Sequence, residues 1–130
     1  MRVDLSPVTA ARKVADRSFG GPAILYEGTS IGYREFVERA GYLAEALAAR
    51  GVTTGLRVAY LGLNSPTFLV TYLACAWLGA VFVPVNFQLT ADEVQRILRD
   101  CEAHTHLSWN QGTRLLLTLS PRTRRTGADC

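Results

Sequence analysis

The stretch Val58–Ala91, VAYLGLNSPTFLVTYLACAWLGAVFVPVNFQLTA, runs thirty-four residues without a charged side chain or a histidine, and its reading decides the fold. It is too long and too interrupted for one element. VAYL is rich in strand formers. Asn64-Ser65-Pro66 is helix-start punctuation, with Ser65 able to cap and Pro66 suited to the first helical turn. Gly79 closes that helix, and Val81-Phe82-Val83 reads as a second buried strand. The whole predicts a strand–helix–strand unit with parallel strands and a right-handed crossover. Only Thr67 and Thr71 interrupt the apolar surface of the helix Pro66–Leu78. A helix apolar on all sides is buried on all sides, so this one calls for more protein around it than the chain visibly supplies.

A membrane span is the competing reading of the same stretch. Thirteen residues make roughly 20 Å of helix, whereas a hydrocarbon core needs about 20 apolar residues in succession. Extension to Val85 would reach that length, but Gly79 and Pro84 stand in the way, and the nearest charges are Arg57 and Asp92. No membrane span is therefore expected.

Outward from this block the chain takes on ordinary globular character, with 48% hydrophobic and 19% charged residues in 130. The net charge of +3 is unevenly placed. Residues 1–107 balance ten basic against ten acidic side chains, and the excess comes from Arg114, Arg122, Arg124 and Arg125 against Asp129. The pI near 9.0 thus describes a tail and gives no nucleic-acid-binding face. Cys75, Cys101 and Cys130 have no paired spacing, which with the absence of an apolar leader after Met1 reads as a cytoplasmic protein.

Before the central block, Ser6-Pro7 opens a helix to about Arg17, with Val8, Ala11 and Val14 or Ala15 inward. Gly20-Gly21-Pro22 ends it. Ala23–Tyr26 and Thr29–Ile31 around Glu27-Gly28 predict a β-hairpin. Tyr33–Arg50 is the clearest amphipathic helix, with Phe36, Ala40, Leu43, Ala44 and Leu47 on one face and Glu35 placed to pair with Arg39. Gly51 caps it, and Gly55 turns into a strand near Arg57. After the block, Thr90 and Glu93 form a capping box for a helix to about Cys101 with Val94, Ile97 and Leu98 inward, and Thr105–Trp109 starts a third strand. Beyond Leu107 the composition changes. SWNQGTRLLLTLSPRTRRTGADC has no helical period, and Leu115–Leu119 is its one apolar patch. The expectation is a body over 1–107 and a basic, disordered or non-family tail over 108–130, with translation of an alternative reading frame as one origin of the break.

No complete active site emerges. Gly62 to Pro66 has one glycine where phosphate loops use several, and no lysine follows, so it reads as a capped helix start. Its serine is also misplaced for a nucleophile elbow. Cys101, His104 and His106 lack the further ligands that zinc needs. Asp92 and Glu93 offset a helix dipole. The one lysine, Lys13, is far in sequence from any of these. Hence no catalytic, cofactor-binding or metal residue is assigned.

Three segments, in matching order and spacing, resemble the N-terminal region of the adenylate-forming, AMP-dependent synthetases, a family that includes fatty-acyl- and aryl-CoA ligases. They are Ile31-Gly-Tyr33-Arg-Glu35-Phe with Leu43-Ala44, Leu47 and Gly51-Val52; then Gly55-Leu-Arg57-Val58-Ala59 to Asn64-Ser65-Pro66; then Gly79-Ala80-Val81-Phe-Val83-Pro84-Val-Asn86 to Leu89-Thr90. The third is the most specific. Leu56 stands where the family usually has aspartate, and Thr67 where glutamate is common. The resemblance covers about Pro22–Leu107 and implies an α/β fold, a partial parallel-sheet subdomain with flanking helices like the N-terminal part of the large domain of an acyl-CoA synthetase. It implies a parent reaction that activates a carboxylic acid with ATP as an acyl-adenylate and passes it to coenzyme A, with ATP, Mg and CoA as parent cofactors. The family's phosphate loop, adenine-contacting motifs, magnesium-binding glutamate and catalytic lysine lie downstream of the matched part. The chain is accordingly expected to be inactive alone and to need no cofactor itself. Self-association, or a missing remainder of the synthetase, is expected at the apolar helix, with no nucleic-acid partner. Two alternatives stay open at this point: a non-catalytic interaction module docking through that helix, and a small membrane protein.

Overall fold

The computed structural model describes residues 6–17, 21–110 and 114–119, the last six and 109–110 as backbone only. In chain order these form α1 (Pro7–Arg17), β1 (Pro22–Tyr26), β2 (Thr29–Gly32), α2 (Tyr33–Ala49), β3 (Arg57–Leu61), α3 (Pro66–Leu78), β4 (Val81–Val85), α4 (Ala91–Asp100), β5 (Thr105–Asn110) and β6 (Arg114–Leu119). β1 and β2 make an antiparallel hairpin. Glu27 and Gly28 both have positive φ, 45° and 76°, the paired left-handed turn whose twist suits a two-residue hairpin.

The other strands form one sheet in the order β4-β3-β5-β6. β3 is parallel to β4, with Val58 opposite Phe82, and parallel to β5, with Val58 opposite Thr105. The charge-free block is therefore the expected parallel strand–helix–strand unit, with the helix bounds as read from the sequence. Regular structure also crosses the boundary placed at Leu107. Ser108–Asn110 belong to β5, and the apolar patch Leu115–Leu119 lies in β6, antiparallel to β5. Residues 120–130 lie outside the described residues.

Alternation along the strands sends side chains to two faces. On one face α2 and α3 cover Val58, Tyr60 and Leu107, and Leu47, Ala44, Val52, Ala74 and Cys75 complete a fully buried cluster. Rings thicken it, with Tyr60, Phe68, Phe82 and Tyr72 in successive edge or tilted contact at 5.1–6.1 Å. The opposite face carries Ala59, Val85 and Ala103 under α4, through Val94, Ile97 and Leu98. Those three were expected inward and do face the sheet, but no residue of α4 is fully buried, so this second layer is thin.

Helix ends follow the local chemistry. Ser6 Oγ accepts from the Thr9 amide at 3.2 Å, and the Thr90–Glu93 capping box closes in both directions. In α1 the inward residue is Ala15, whereas Val14 is 40% exposed. Glu35 and Arg39 pair at 2.6 Å on the solvent side of α2. Three helices end in the same six-residue motif. Val52 N donates to Leu47 O and Gly51 N to Ala48 O; Ala80 N donates to Cys75 O and Gly79 N to Ala76 O; Ala103 N donates to Leu98 O and Glu102 N to Arg99 O. The residue at the left-handed position has φ 87° at Gly51, 67° at Gly79 and 49° at Glu102, two glycines and one side chain that adopts the conformation at a cost.

α3 is not wrapped on all sides. Val70, Thr71, Leu73, Ala74 and Cys75 are buried, and Thr71 Oγ1 donates to Thr67 O at 2.7 Å, which lets a hydroxyl sit in an apolar layer. Leu69 and Tyr72 on the outer side are 42% and 44% exposed. α1 packs against α2 and α3, with the Arg12 guanidinium 4.3 Å above the Trp77 ring.

Candidate functional site

In an open α/β sheet, ligands gather beyond the carboxyl ends of the parallel strands. Here, among the described residues, that end carries the β3–α3 turn, Gly62–Ser65, and the β4–α4 turn, Asn86–Thr90, beside the end of β5 at Asn110. Ser65 takes the N-cap position in an extended conformation (φ −136°) but makes no side-chain capping bond. This corrects the expected role of its hydroxyl. Beneath the turn the Tyr60 hydroxyl, rising from β3, donates to Leu63 O at 3.1 Å and stands 3.5 Å from Ser65 Oγ. Burial raises the Tyr60 pKa, and the Ser65 contact opposes that shift. The turn is thus braced from below by a phenol. In the other turn Asn86 Oδ1 accepts from the Gln88 amide at 2.9 Å, a side-chain-closed turn.

The polar groups of these two turns are Asn64, Ser65, Asn86, Gln88 and Thr90, none of them ionisable. Such a set donates and accepts hydrogen bonds but supplies no base, no acid and no charge to meet a developing phosphate or carboxyl oxyanion. Neither ATP nor magnesium is fitted by it, because a triphosphate needs cationic or multiple backbone donors and magnesium needs carboxylate oxygens. No step of chemistry is derived from these residues.

The metal-like trio is dispersed. Cys101 ends α4, with its thiol 3.7 Å from Leu98 O. His104 sits just before β5, its Nε2 3.1 Å from Arg50 O at the end of α2. His106 lies within β5 beside Ala59, its Nδ1 buried without a hydrogen-bond partner, and desolvation lowers its pKa. Among the described residues no group of three His, Cys, Asp or Glu side chains is placed to hold a metal. Cys75 is a core thiol, pushed up to about 12 by burial, which removes it from nucleophilic chemistry. Asp92 and Glu93 occupy the first turn of α4, Glu93 within the capping box. A shallow groove between α2 and α3 is lined by Gly41, Ala44, Glu45, Ala48, Trp77 and Leu78. It places one carboxylate against an apolar wall and brings no second polar group to it. Sequence reasoning missed the phenol under the β3–α3 turn and the orphaned His106 nitrogen. A tyrosine in a run of strand formers reads as core, and ring orientation leaves no trace in spacing. Among the described residues no helix is long and apolar enough to cross a membrane.

Comparison with known proteins bears on the same segments. The family model described as AMP-binding enzyme matches residues 11–126. Feruloyl-CoA synthase from Amycolatopsis sp. is 47% identical over 81 residues, covering 62% of this chain and 16% of that protein. Fatty acid–[acyl-carrier-protein] ligase ScoC from Streptomyces coeruleorubidus is 42% identical over 95 residues, covering 73% and 16%. Among solved structures, a fatty acyl CoA synthetase from Mycobacterium tuberculosis superposes with a TM-score of 0.73 at 32% identity, over 78% of this chain and 20% of that one. The N-terminal subdomain of NpsA from Klebsiella oxytoca, solved in complex with 3-hydroxyanthranilyl-AMSN, gives 0.74 at 25% identity, over 82% and 27%. The chain thus spans about one-sixth of the length of these curated relatives. Its parallel sheet with flanking helices is the fold of the corresponding parts of the two solved proteins. The chain belongs to the AMP-binding enzyme family and makes up part of that family's enzyme domain.

Proposed function

We propose that this chain is a scaffold segment of an acyl- or aryl-CoA ligase-like protein, and that alone it carries out no ATP-dependent acid–thiol ligation. The observation that carries this reading is the chemistry of the strand ends: Asn64, Ser65, Asn86, Gln88 and Thr90 stand where a ligand would sit, with no ionisable side chain in either turn. Phosphoryl transfer is catalysed almost entirely by positioned charge, and these groups bring none. The names of the relatives, a feruloyl-CoA synthase and a fatty acid–[acyl-carrier-protein] ligase, support a parent chemistry of carboxylic-acid activation for thioester formation. ATP, Mg and CoA belong to that whole reaction and to residues outside this segment. Its place is the cytoplasm, with its thiols reduced.

The test is ATP–pyrophosphate exchange by the purified chain, with magnesium and a panel of fatty acids and ferulic acid. The expected result is exchange no faster than in a protein-free control. Exchange that copurifies with the chain and depends on the acid overturns the reading.

A further inference from the structure

The four-stranded sheet has two edges, β4 and β6, and they are built differently. On β4 the Val81 amide donates inward to Leu56 O at 2.8 Å. Strand alternation then turns the amides at 83 and 85 toward β3 and positions 82 and 84 toward the open side. Proline has no N–H, so Phe82 alone offers an outward donor between Val81 and Val85. A strand added at β4 would meet a gap in its ladder.

β6 carries no such guard. Its six residues, Arg114-Leu-Leu-Leu-Thr-Leu119, hold one charge, at the first position, and no proline. Natural edge strands are usually blunted by one or the other in their middle. Antiparallel pairing with β5 runs from Asn110 opposite Arg114 to Thr105 opposite Leu119. In such a ladder alternate residues bond to the neighbour, and those between them turn both amide and carbonyl outward. Among the described elements only β5 packs closely on β6. The register also sets positions 115, 117 and 119 on the sheet face of Leu107, with Leu117 directly opposite it. Leu107 belongs to the fully buried cluster covered by α2 and α3. Three leucine positions therefore share one face of an open, uninterrupted edge.

We propose that β6 is a self-association edge, where two copies of this chain pair antiparallel about a twofold axis normal to the sheet and join their sheets into one. The contact lies at the edge remote from β4, the strand on which α3 packs. Self-complementarity favours a second copy over an unrelated strand. A twofold normal to the sheet keeps the faces of both copies aligned, so positions 115, 117 and 119 meet only one another. Centred on Leu117, the pairing sets Leu115 against the partner's Leu119, Leu117 against the partner's Leu117, and Leu116 against the partner's Thr118. Arg114 falls outside it, so no like charges are opposed. An edge that complements itself in this way is what an isologous interface requires. The other edge then fixes the size of the assembly. The joined sheet ends in β4 on both sides, and the gap at Pro84 stops further addition, so association closes at two copies.

The test is sedimentation equilibrium of the full 130-residue chain over a wide range of concentration. The expected result is a reversible monomer–dimer equilibrium with no larger species. A chain that stays monomeric throughout, or that grows beyond the dimer, overturns the proposal. Leu117→Lys sets two like charges against each other at the centre of the pairing and should weaken the dimer by about tenfold or more; an unchanged dissociation constant overturns it. A cysteine probe separates association from loss of β6 itself. In a chain carrying Cys101→Ser and Cys130→Ser, facing Cα atoms of an antiparallel pair stand about 4.5–5.5 Å apart, within reach of a disulfide. Mild oxidation with copper–phenanthroline should link Leu117→Cys to its own copy faster than Leu115→Cys by about tenfold or more. A dimer that links no faster at 117 than at 115 overturns the proposal by moving the contact to another surface, α3 included.

Discussion

Glu102→Gly should stabilise the protein, although it deletes a side chain and adds backbone freedom. α4 ends in the same reciprocal amide–carbonyl motif as α2 and α3, but its left-handed position, φ 49°, is held by glutamate. A non-glycine residue there costs about 1–2 kcal/mol. Introducing glycine returns roughly 0.5–1 kcal/mol of that through the greater freedom of the unfolded chain. The Glu102 side chain is exposed, so little else is lost. The net expectation is a gain of about 0.5–1 kcal/mol, or about 2–4 °C in melting temperature for a chain of this size.

The two glycine caps supply controls of opposite sign. An alanine Cβ at Gly51 would meet His104 Nε2 at 3.5 Å, an ordinary contact, whereas at Gly79 it would meet Thr54 Oγ1 at 3.2 Å and Cγ2 at 3.3 Å. Gly51→Ala should therefore cost about 1 kcal/mol from conformation alone, and Gly79→Ala about 2 kcal/mol or more. Thermal melts followed by far-ultraviolet circular dichroism give the ranking. If Glu102→Gly melts below the parent, or Gly51→Ala costs more than Gly79→Ala, the account of these caps is wrong.

Four further outcomes follow from the same geometry. Thr90→Ala removes the acceptor for the Glu93 amide and should lower stability by about 1 kcal/mol in a denaturant titration. His106 has its pKa lowered from the ordinary 6.5 by desolvation, so the unfolded chain binds the extra proton first. Its contribution is complete above 6.5 and declines as pH falls through and below that value. His106→Gln should flatten the stability–pH curve of the parent below 6.5, and parallel curves would refute this. Native labelling with iodoacetamide at pH 8 followed by peptide mapping should leave Cys75 unmodified, its thiol being buried and raised to about 12, and modify the half-buried Cys101. Pro84→Val restores an outward N–H to β4 and should carry association beyond that of the parent, to larger concentration-dependent oligomers by light scattering; a variant that associates no further than the parent would show that the proline does not guard this edge.

The central unit was legible because its punctuation is local. Pro66 and Gly79 bound α3 through their own backbone preferences, and Thr90 with Glu93 announces α4 three residues apart. What escaped depended on partners distant in sequence. Ser65 reads as a cap, yet its hydroxyl makes no capping bond and instead stands 3.5 Å from the hydroxyl of a tyrosine on the preceding strand. Val14 and Ala15 are equivalent by helical period, and only the packing of α1 on α2 and α3 chooses Ala15. The strand Arg114–Leu119 follows Asn110-Gln111-Gly112-Thr113, a short glycine-containing connection that suits a hairpin, but the change of composition beyond Leu107 hid that signal, and its role comes from pairing with β5. The candidate site was legible mainly by what its turns do not carry, since charge can be read from sequence without any geometry.

The sheet order also governs how such a chain comes together. β3 lies between β4 and β5, both of which follow it in the polypeptide, one after α3 and the other after α4. As the protein leaves the ribosome, Val58, Ala59 and Tyr60 emerge with neither flank available and must wait through two helices before both sides are closed. During that interval the strand that ends most deeply buried is the one least shielded, which makes the pace of translation through residues 62–110 the natural control on whether it meets its own neighbours or another nascent chain.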